Sequence, residues 1–522
     1  KMFESEAGFK DILTGAYLKL ATAHLYAGDL KYGYIDELAG LYCDYPSYNN
    51  NSVYNQAIVF DYTNQFLGKK DNIYLEMYNV VANINNLLQN LEKHRDVLKS
   101  PHYYECMKGE ALGLRAFVYF DLLRLFGPIY SEHPNDAAIP YKTTFDKEAT
   151  PVLPANKVVE KILEDLKAAE AILAEHDPCD FQTGEENRTE FLSNREFRMN
   201  IYAVKAMLAR VYCYAGQKEL AIQYAQQVID ANKFFTLYKS QTPSNYNSIR
   251  YGEMIFGLSV HQLGNLLSDN AMDMNETRPQ RRYGMKSEMF DRIYEGYTSD
   301  WRQNIVAFKW DDSHEYAFCL KYNQERLAYT NSANAIPLIR LPEMYYIIAE
   351  CTPSAQESAD ILNKVRQSRG IPYSEELQAT GFDSPDANSV ENKQQTRRIN
   401  EIMKEYAFGI DLGGTTAKIG LFKTTGELLE KWEVPTDTSN AGEHILKNLA
   451  AAVQGKMQEK GLAAAQVEGV GVGVPGPVLN SRIVPIICAN LGGWGKRNVS
   501  EELGALLGGI KVLVGNDANV AA

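Results

Sequence analysis

Apolar residues recur at helical spacing through most of the first 400 positions. The clearest run is Gly109–Phe126, GEALGLRAFVYFDLLRLF, closed by Gly127-Pro128 as a helix stop should be. Its apolar residues cover nearly the whole circumference, which predicts a helix buried on most sides. The charges Arg115, Asp121 and Arg124 must then find partners or reach a rim. A second stretch, Tyr202–Gly216 followed by Glu219–Asp230, predicts helix, turn at Ala215-Gly216, helix. Small residues at Ala203, Ala206, Ala209 and Ala221 let two antiparallel helices approach closely, the physical signature of a tetratricopeptide unit. Leu341–Cys351 and Ser354–Ser368 repeat the plan. The helical pairs begin near 107, 199 and 339, far wider than a period of about 34 residues, so long insertions separate them.

From Ala407 the pattern becomes α/β. Strands are predicted at 407–412, 417–422, 428–434, 467–474 and 511–515, with helices at 443–459 and 500–507. EIMKEY at 401–406 reads as helix and AFGIDLGG at 407–414 as strand, with no Pro/Gly/Ser-rich spacer between them. Composition breaks at the same place. All 33 tyrosines lie in residues 1–406, whereas 19 of the 37 glycines lie between Gly409 and Gly515. Two unlike sequences are joined, and the expected domains are 1–405 and 406–522.

Charge narrows the partners. With 53 Lys+Arg against 66 Asp+Glu the net charge is −13, which argues against a phosphate-binding surface spread over the whole molecule and so against nucleic acid. No apolar run approaches the ~20 residues needed to cross a bilayer, and the first residues lack the pattern of a signal peptide. The seven cysteines show no C-x-x-C pair and no histidine in ligand register, so neither a metal site nor a disulfide framework is suggested. No cofactor is expected. The insertions carry aromatic, polar loops: Tyr42–Tyr48, Arg281-Arg282-Tyr283, Tyr294–Trp301 and Trp310-Asp311-Asp312. Aromatic faces beside amides and carboxylates suit sugar rings, whose C–H faces stack while hydroxyls take hydrogen bonds; the same rings also serve as loop anchors. Tyr45, Tyr48, Tyr283, Trp301 and Trp310 are the candidate glycan contacts.

GEALGLRAFVYFDLLRLFGPI at 109–129, Ile139-Pro140-Tyr141, GEMIFGLSV at 252–260, FDRIYEGYTSDWR at 290–302, IPLIRLPEMYYIIAEC at 336–351 and LNKVRQSRG at 362–370 resemble the SusD/RagB family of surface glycan-binding lipoproteins. The resemblance runs over essentially all of 1–405. It implies a mainly α, tetratricopeptide-like scaffold with long loop insertions on the outer face of a bacterial outer membrane. Such a protein caps a TonB-dependent transporter and hands it oligosaccharide or polysaccharide without catalysis. The lipidated cysteine that would anchor it is absent from these residues. A glycosidase reading fares poorly: Glu343 and Glu350 share a helix face, but Arg340, Arg366 and Arg369 nearby suggest structural ion pairs, and glycosidase carboxyls must flank a cleft.

In the tail, Asp411-Leu-Gly413-Gly414-Thr415-Thr416 sits between two strands. Glycines there let backbone N–H groups approach phosphate and Asp can hold a metal ion, although a G-G-T-T turn is also an ordinary hairpin. GVGVPGPV at 471–478, ANLGGW at 489–494 and GNDANVAA at 515–522 complete a resemblance to the ROK sugar-kinase family, within the actin-like (RNase H-like) superfamily. It implies that Asp411, Gly413, Gly414 and Thr415 face nucleotide phosphates, that Asn490 and Asn516 bind sugar hydroxyls, and that Asp517 is the base. The family's second lobe and its Glu-x-Gly-His contact do not follow within these residues. Phosphoryl transfer needs positioning across a closed cleft, so this lobe is expected to be inactive. Glycan binding is therefore the leading reading, sugar phosphorylation through Asp517 the enzyme alternative, and a protein-interaction scaffold without sugar affinity the third.

Overall fold

The computed structural model describes residues 2–39, 43–44, 65–179, 190–238, 251–269, 283–303, 308–322, 334–378, 406–475, 483–488 and 491–516, save isolated positions within them. The chain forms two compact units, Lys1–Ala379 and Thr380–Ala522. The stretch 379–405, up to the junction expected at 405/406, lies outside the described residues.

The first unit is built on a succession of helices: α1 (Glu6–Leu20), α2 (Gln65–Lys93), α3 (Tyr103–Phe126), α4 (Ala155–His176), α5 (Ile201–Tyr214) and α6 (Lys218–Ile229), then α7 (Ser287–Tyr294), α8 (Leu341–Cys351) and α9 (Ala355–Ser368). From α1 to α6 each packs on the next, and α8 joins α6 to α9. Local chemistry sets the boundaries. Ser5, Asn200 and Ser354 cap α1, α5 and α9 by accepting a bond from a first-turn N–H. Gly216, in the left-handed region at φ +72°, makes the turn between α5 and α6 that Ala215-Gly216 predicted. Helix α3 is buried along 19 of its 24 residues, including the expected all-round apolar face. It can lie so close to its neighbours because Gly109 carries no side chain: a Cβ there would fall 2.6 Å from Leu173 Cγ of α4.

Several buried charges of this core are paired. Arg115 holds Asp165 of α4 through two bonds of 2.7 and 2.6 Å and Asn85 of α2 at 2.9 Å, while Arg124 pairs with Asp121. Fully buried Arg195 bridges Glu110 of α3 to Asp177, whose carboxylate also accepts from the Ile201 amide at the start of α5. Burial works against the charge on Glu110, but Arg198 and Arg195 outweigh it and hold the carboxyl below its ordinary range.

Short strands decorate the helices. β1 (Cys43–Asp44), β5 (Tyr283–Lys286), β6 (Phe308–Trp310) and β7 (Tyr316–Cys319) form one sheet in the order β1-β5-β7-β6. β2 (Ala137–Pro140) pairs with β3 (Val152–Pro154), and β4 (Met254–Ser259) with β8 (Ala335–Arg340).

The second unit is α/β. β9 (Tyr406–Leu412), β10 (Thr416–Lys423), β11 (Leu428–Pro435), β12 (Val467–Val474) and β15 (Val512–Asn516) form a sheet ordered β11-β10-β9-β12-β15. The first three run antiparallel to one another, and β9, β12 and β15 run parallel. Helices α10 (Ile445–Glu459) and α11 (Val499–Leu506) cover one face, and Phe408, Ile410, Ile419, Val472 and Val514 alternate inward beneath them. Two sequence expectations are corrected here. Tyr406 is strand, not the end of an EIMKEY helix, because it pairs with Lys423 and Val467. A hairpin of β13 (Ile483–Cys488) and β14 (Trp494–Asn498) stands where no strand was predicted, and its Trp494 is fully buried.

Candidate functional site

In the first unit three of the segments expected to carry glycan contacts meet in the small sheet, through Cys43–Asp44, Tyr283 and Trp310. Tyr283 opens β5, in register with Asp44 of β1, and Met285 and Trp310 both face Ala317 of β7. Tyr45 and Tyr48, which follow β1 directly, lie outside the described residues. Trp310 is half-buried. Its ring meets Phe290 of α7 edge-on at 4.9 Å and stacks against His314 at 6.0 Å, so one side of the indole is an anchor for the sheet. Asp311 is consumed by the following turn: its carboxylate accepts from the Glu315 and Tyr316 amides at 2.9 Å and from the Ser313 hydroxyl at 2.6 Å. Burial opposes its charge, but those bonds prevail and keep it below the usual carboxylate range.

Trp301 sits apart from this sheet. Its amide donates to the Arg369 carbonyl at 2.9 Å, and its indole edge lies against Gly370, which has φ +89°. A Cβ on Gly370 would come 2.3 Å from the Trp301 Nε1, so the glycine is required twice, by conformation and by space. The neighbouring tyrosines are held by cations, with Arg302 over Tyr294 and Arg366 over Tyr297, at 5.4 and 5.2 Å.

A polar cluster that sequence reasoning missed lies just beyond β7. The chain leaves Cys319 and reaches buried Tyr322, whose ring is 5.5 Å from that of Tyr32. Lys31 and Asp36 are close by. Burial, reinforced by Arg340 and Arg210, pulls the Lys31 ammonium down to about 8 against the pull of Asp36, and burial pushes Asp36 up to about 6 despite Lys31 and Lys321. These residues are separated by some 300 positions in the chain, so only the fold unites them. Clusters of this kind concentrate at functional sites, although structural networks produce them too.

The paired carboxylates do not make a catalytic site. Glu343 is held by Arg210 of α5 through two bonds, the longer 2.7 Å, rather than by Arg340, Arg366 or Arg369. Arg369 instead pairs with buried Glu253 at 2.6 and 2.9 Å, and Arg366 with Glu295 at 3.1 Å. The expectation of structural ion pairing holds while the partners differ, because they come from segments distant in sequence.

In the second unit the Gly413–Thr416 segment is a tight hairpin turn. The Gly413 amide donates to the Thr416 carbonyl at 3.1 Å, and Thr436 pins the turn through its hydroxyl to the Gly413 carbonyl at 2.8 Å and its amide to the Thr415 carbonyl at 3.0 Å. The Gly413 N–H is therefore committed to the turn, leaving the exposed Thr415 hydroxyl and the exposed Asp411 carboxylate as the outward groups. Asp411 and Asn516 come to the same edge of the parallel strands, through Gly473 opposite both Asp411 and Gly515, and Val474 opposite Asn516. That carboxyl edge is where ligands bind in open α/β sheets. Asn490 and Asp517 lie outside the described residues. The sheet face away from the helices is lined by Gly409, Gly420, Gly471, Gly473 and Gly515 and forms an open depression of about 520 Å³, with Asp411 and Lys418 facing each other across β9 and β10.

Comparison with known proteins sorts these two units. A family model described as starch-binding and associating with the outer membrane, SusD-like, matches residues 2–213, the SusD family matches 199–414, and the ROK family matches 407–522. The chain joins a SusD/RagB-family domain to a ROK-family segment. Among solved structures, a SusD superfamily protein from Bacteroides thetaiotaomicron superposes with TM-score 0.58 at 18% identity, covering 76% of this chain and 85% of that one. A SusD-like carbohydrate binding protein from Bacteroides vulgatus gives 0.55 at 18%, covering 76% and 80%. The SusD-family domain thus has the fold of those proteins. The ROK-family segment is 32% identical over 114 residues to a glucokinase of Halalkalibacterium halodurans, spanning 22% of this chain and 34% of that enzyme. The chain spans about a third of the length of the glucokinases it matches, so the ROK-family part is an incomplete kinase within these 522 residues.

Proposed function

We propose that the SusD-family domain, residues 1–405, binds an oligosaccharide or polysaccharide without catalysis at the bacterial outer-membrane surface and passes it to a TonB-dependent transporter. The observation that carries this reading is the pair of family matches spanning 2–414, one of them to starch-binding proteins associating with the outer membrane. The geometry supports it: the segments bearing Tyr283 and Trp310 meet on one sheet, Tyr45 and Tyr48 follow its edge strand, and Trp301 is held half-exposed nearby in sequence. The helical succession suits a tetratricopeptide-like scaffold that presents its insertions on one face. Among the described residues no helix is long and apolar enough to cross a bilayer.

Residues 406–522 form one lobe of an actin-like kinase fold and do not phosphorylate sugar on their own, because the groups that close a phosphoryl-transfer cleft come from the rest of such an enzyme. Electrophoresis of the chain through gels containing single polysaccharides tests the main reading. Retardation by at least one glycan is expected, and equal mobility in every gel contradicts it. A coupled assay with glucose and ATP should show no turnover above the no-enzyme rate.

A further inference from the structure

We propose that Cys213 and Cys351 form a covalent modification site, a thiol pair that closes to a disulfide on exposure to a small organic disulfide. The reading is independent of what the domain binds. The two sulfurs, 138 residues apart in the chain, face each other at 3.6 Å across α5 and α8. A disulfide needs an S–S distance of about 2.05 Å, a closure within reach of small side-chain and helix-end adjustments. Both residues lie where the backbone can give. Cys213 is the penultimate residue of α5, just before the Ala215-Gly216 turn, and Cys351 ends α8, after which Thr352 leaves the helix. Access is one-sided, with Cys351 buried and Cys213 half-buried, so Cys213 meets the oxidant first.

The reaction balances as two exchanges. The Cys213 thiolate attacks one sulfur of the organic disulfide and expels the other half as a thiolate that takes up a proton. Cys351 then gives up its proton and attacks the Cys213 sulfur, expelling the second thiol. Two protein thiols are oxidised and one organic disulfide is reduced to two thiols. The groups facing the pair set its pace. Burial first, then Cys351 and Glu350, push the Cys213 thiol up to about 12, and burial raises Cys351 with Glu350 and Glu219 adding and Cys213 and Lys218 opposing. Closure is therefore slow at neutral pH and quickens as pH rises. Once made, the bond ties together the ends of a segment that contains β5, β6 and β7, Trp301 and Glu253.

The test incubates the full native chain with oxidised glutathione at pH 7 and at pH 9, blocks remaining thiols with an alkylating reagent, and maps peptides without reduction. The expected result is a Cys213–Cys351 linked peptide, two hydrogens lighter than the free pair, forming at least tenfold faster at pH 9. The oxidised chain should melt about 5 °C higher, with dithiothreitol reversing the rise, and Cys213→Ser or Cys351→Ser abolishing it. Three outcomes overturn the proposal: both thiols still alkylated at pH 9, Cys213 stopping as a glutathione adduct while Cys351 stays free, or links made chiefly to other cysteines.

Discussion

Arg195 is fully enclosed between Glu110 and Asp177, and nothing in its own neighbourhood of the chain announces that role. Removing a partner from such a group leaves uncompensated buried charge, so Arg195→Met should cost the helical unit about 3–5 kcal/mol, read from its urea midpoint. Lys31 and Asp36 give a pH signature. Asp36, raised to about 6, keeps in the folded state a proton that the unfolded chain releases near 4. Stability from this group is full below about pH 4 and is lost as pH rises through 6. Lys31, lowered to about 8, has the opposite course: its penalty is present below 8 and fades as pH climbs from 8 toward its ordinary 10.5. Asp36→Asn should flatten the acid slope and Lys31→Met the alkaline one, each by roughly 1–2 kcal/mol in urea unfolding across pH, allowing for solvent screening. Composition does pick out aromatic loop residues such as Trp310. What sequence cannot say is that Phe290 and His314 occupy much of its ring, or that the partner of Glu343 is Arg210, because those partners arrive from other elements.

The helical pairs are legible because caps, turn glycine and period agree: Ser354 before α9, Ala215-Gly216 between α5 and α6, and Gly127 after α3 all stand where the pattern puts them. Close helix approach is encoded as plainly. Gly109→Val would thrust atoms into Leu173, and overpacking of this kind should destabilise the helical unit by about 1–3 kcal/mol by thermal or urea unfolding. The small sheet β1-β5-β7-β6 is not legible, since strands of two to four residues hold too little alternation to read. The β13–β14 hairpin escaped for a different reason: its apolar run Ile483–Cys488 contains Pro485, which argues against a paired strand, and the structure absorbs it with an irregular register between Val484 and Ile487.

For the molecule as a whole, the loss of tyrosine and gain of glycine beyond position 406 marks the change of family, and the physical basis of the glycine is visible in the sheet. Five glycines leave one face of the ROK-family segment bare, beside half-exposed Leu428 and Leu513. An open apolar face of this sort promotes association, so the chain should self-associate with rising concentration in sedimentation velocity, and Leu513→Glu should reduce it. The SusD-family domain, by contrast, is read as a carbohydrate-binding surface. The measurement that tests it most directly is calorimetric titration of the full chain with a panel of oligosaccharides and polysaccharides, beside a Tyr45→Ala, Tyr48→Ala, Tyr283→Ala variant. Saturable heat with at least one glycan, weakened tenfold or more in the variant, is the predicted result. Absence of heat with every glycan, from a chain whose unfolding transition is intact, would contradict it.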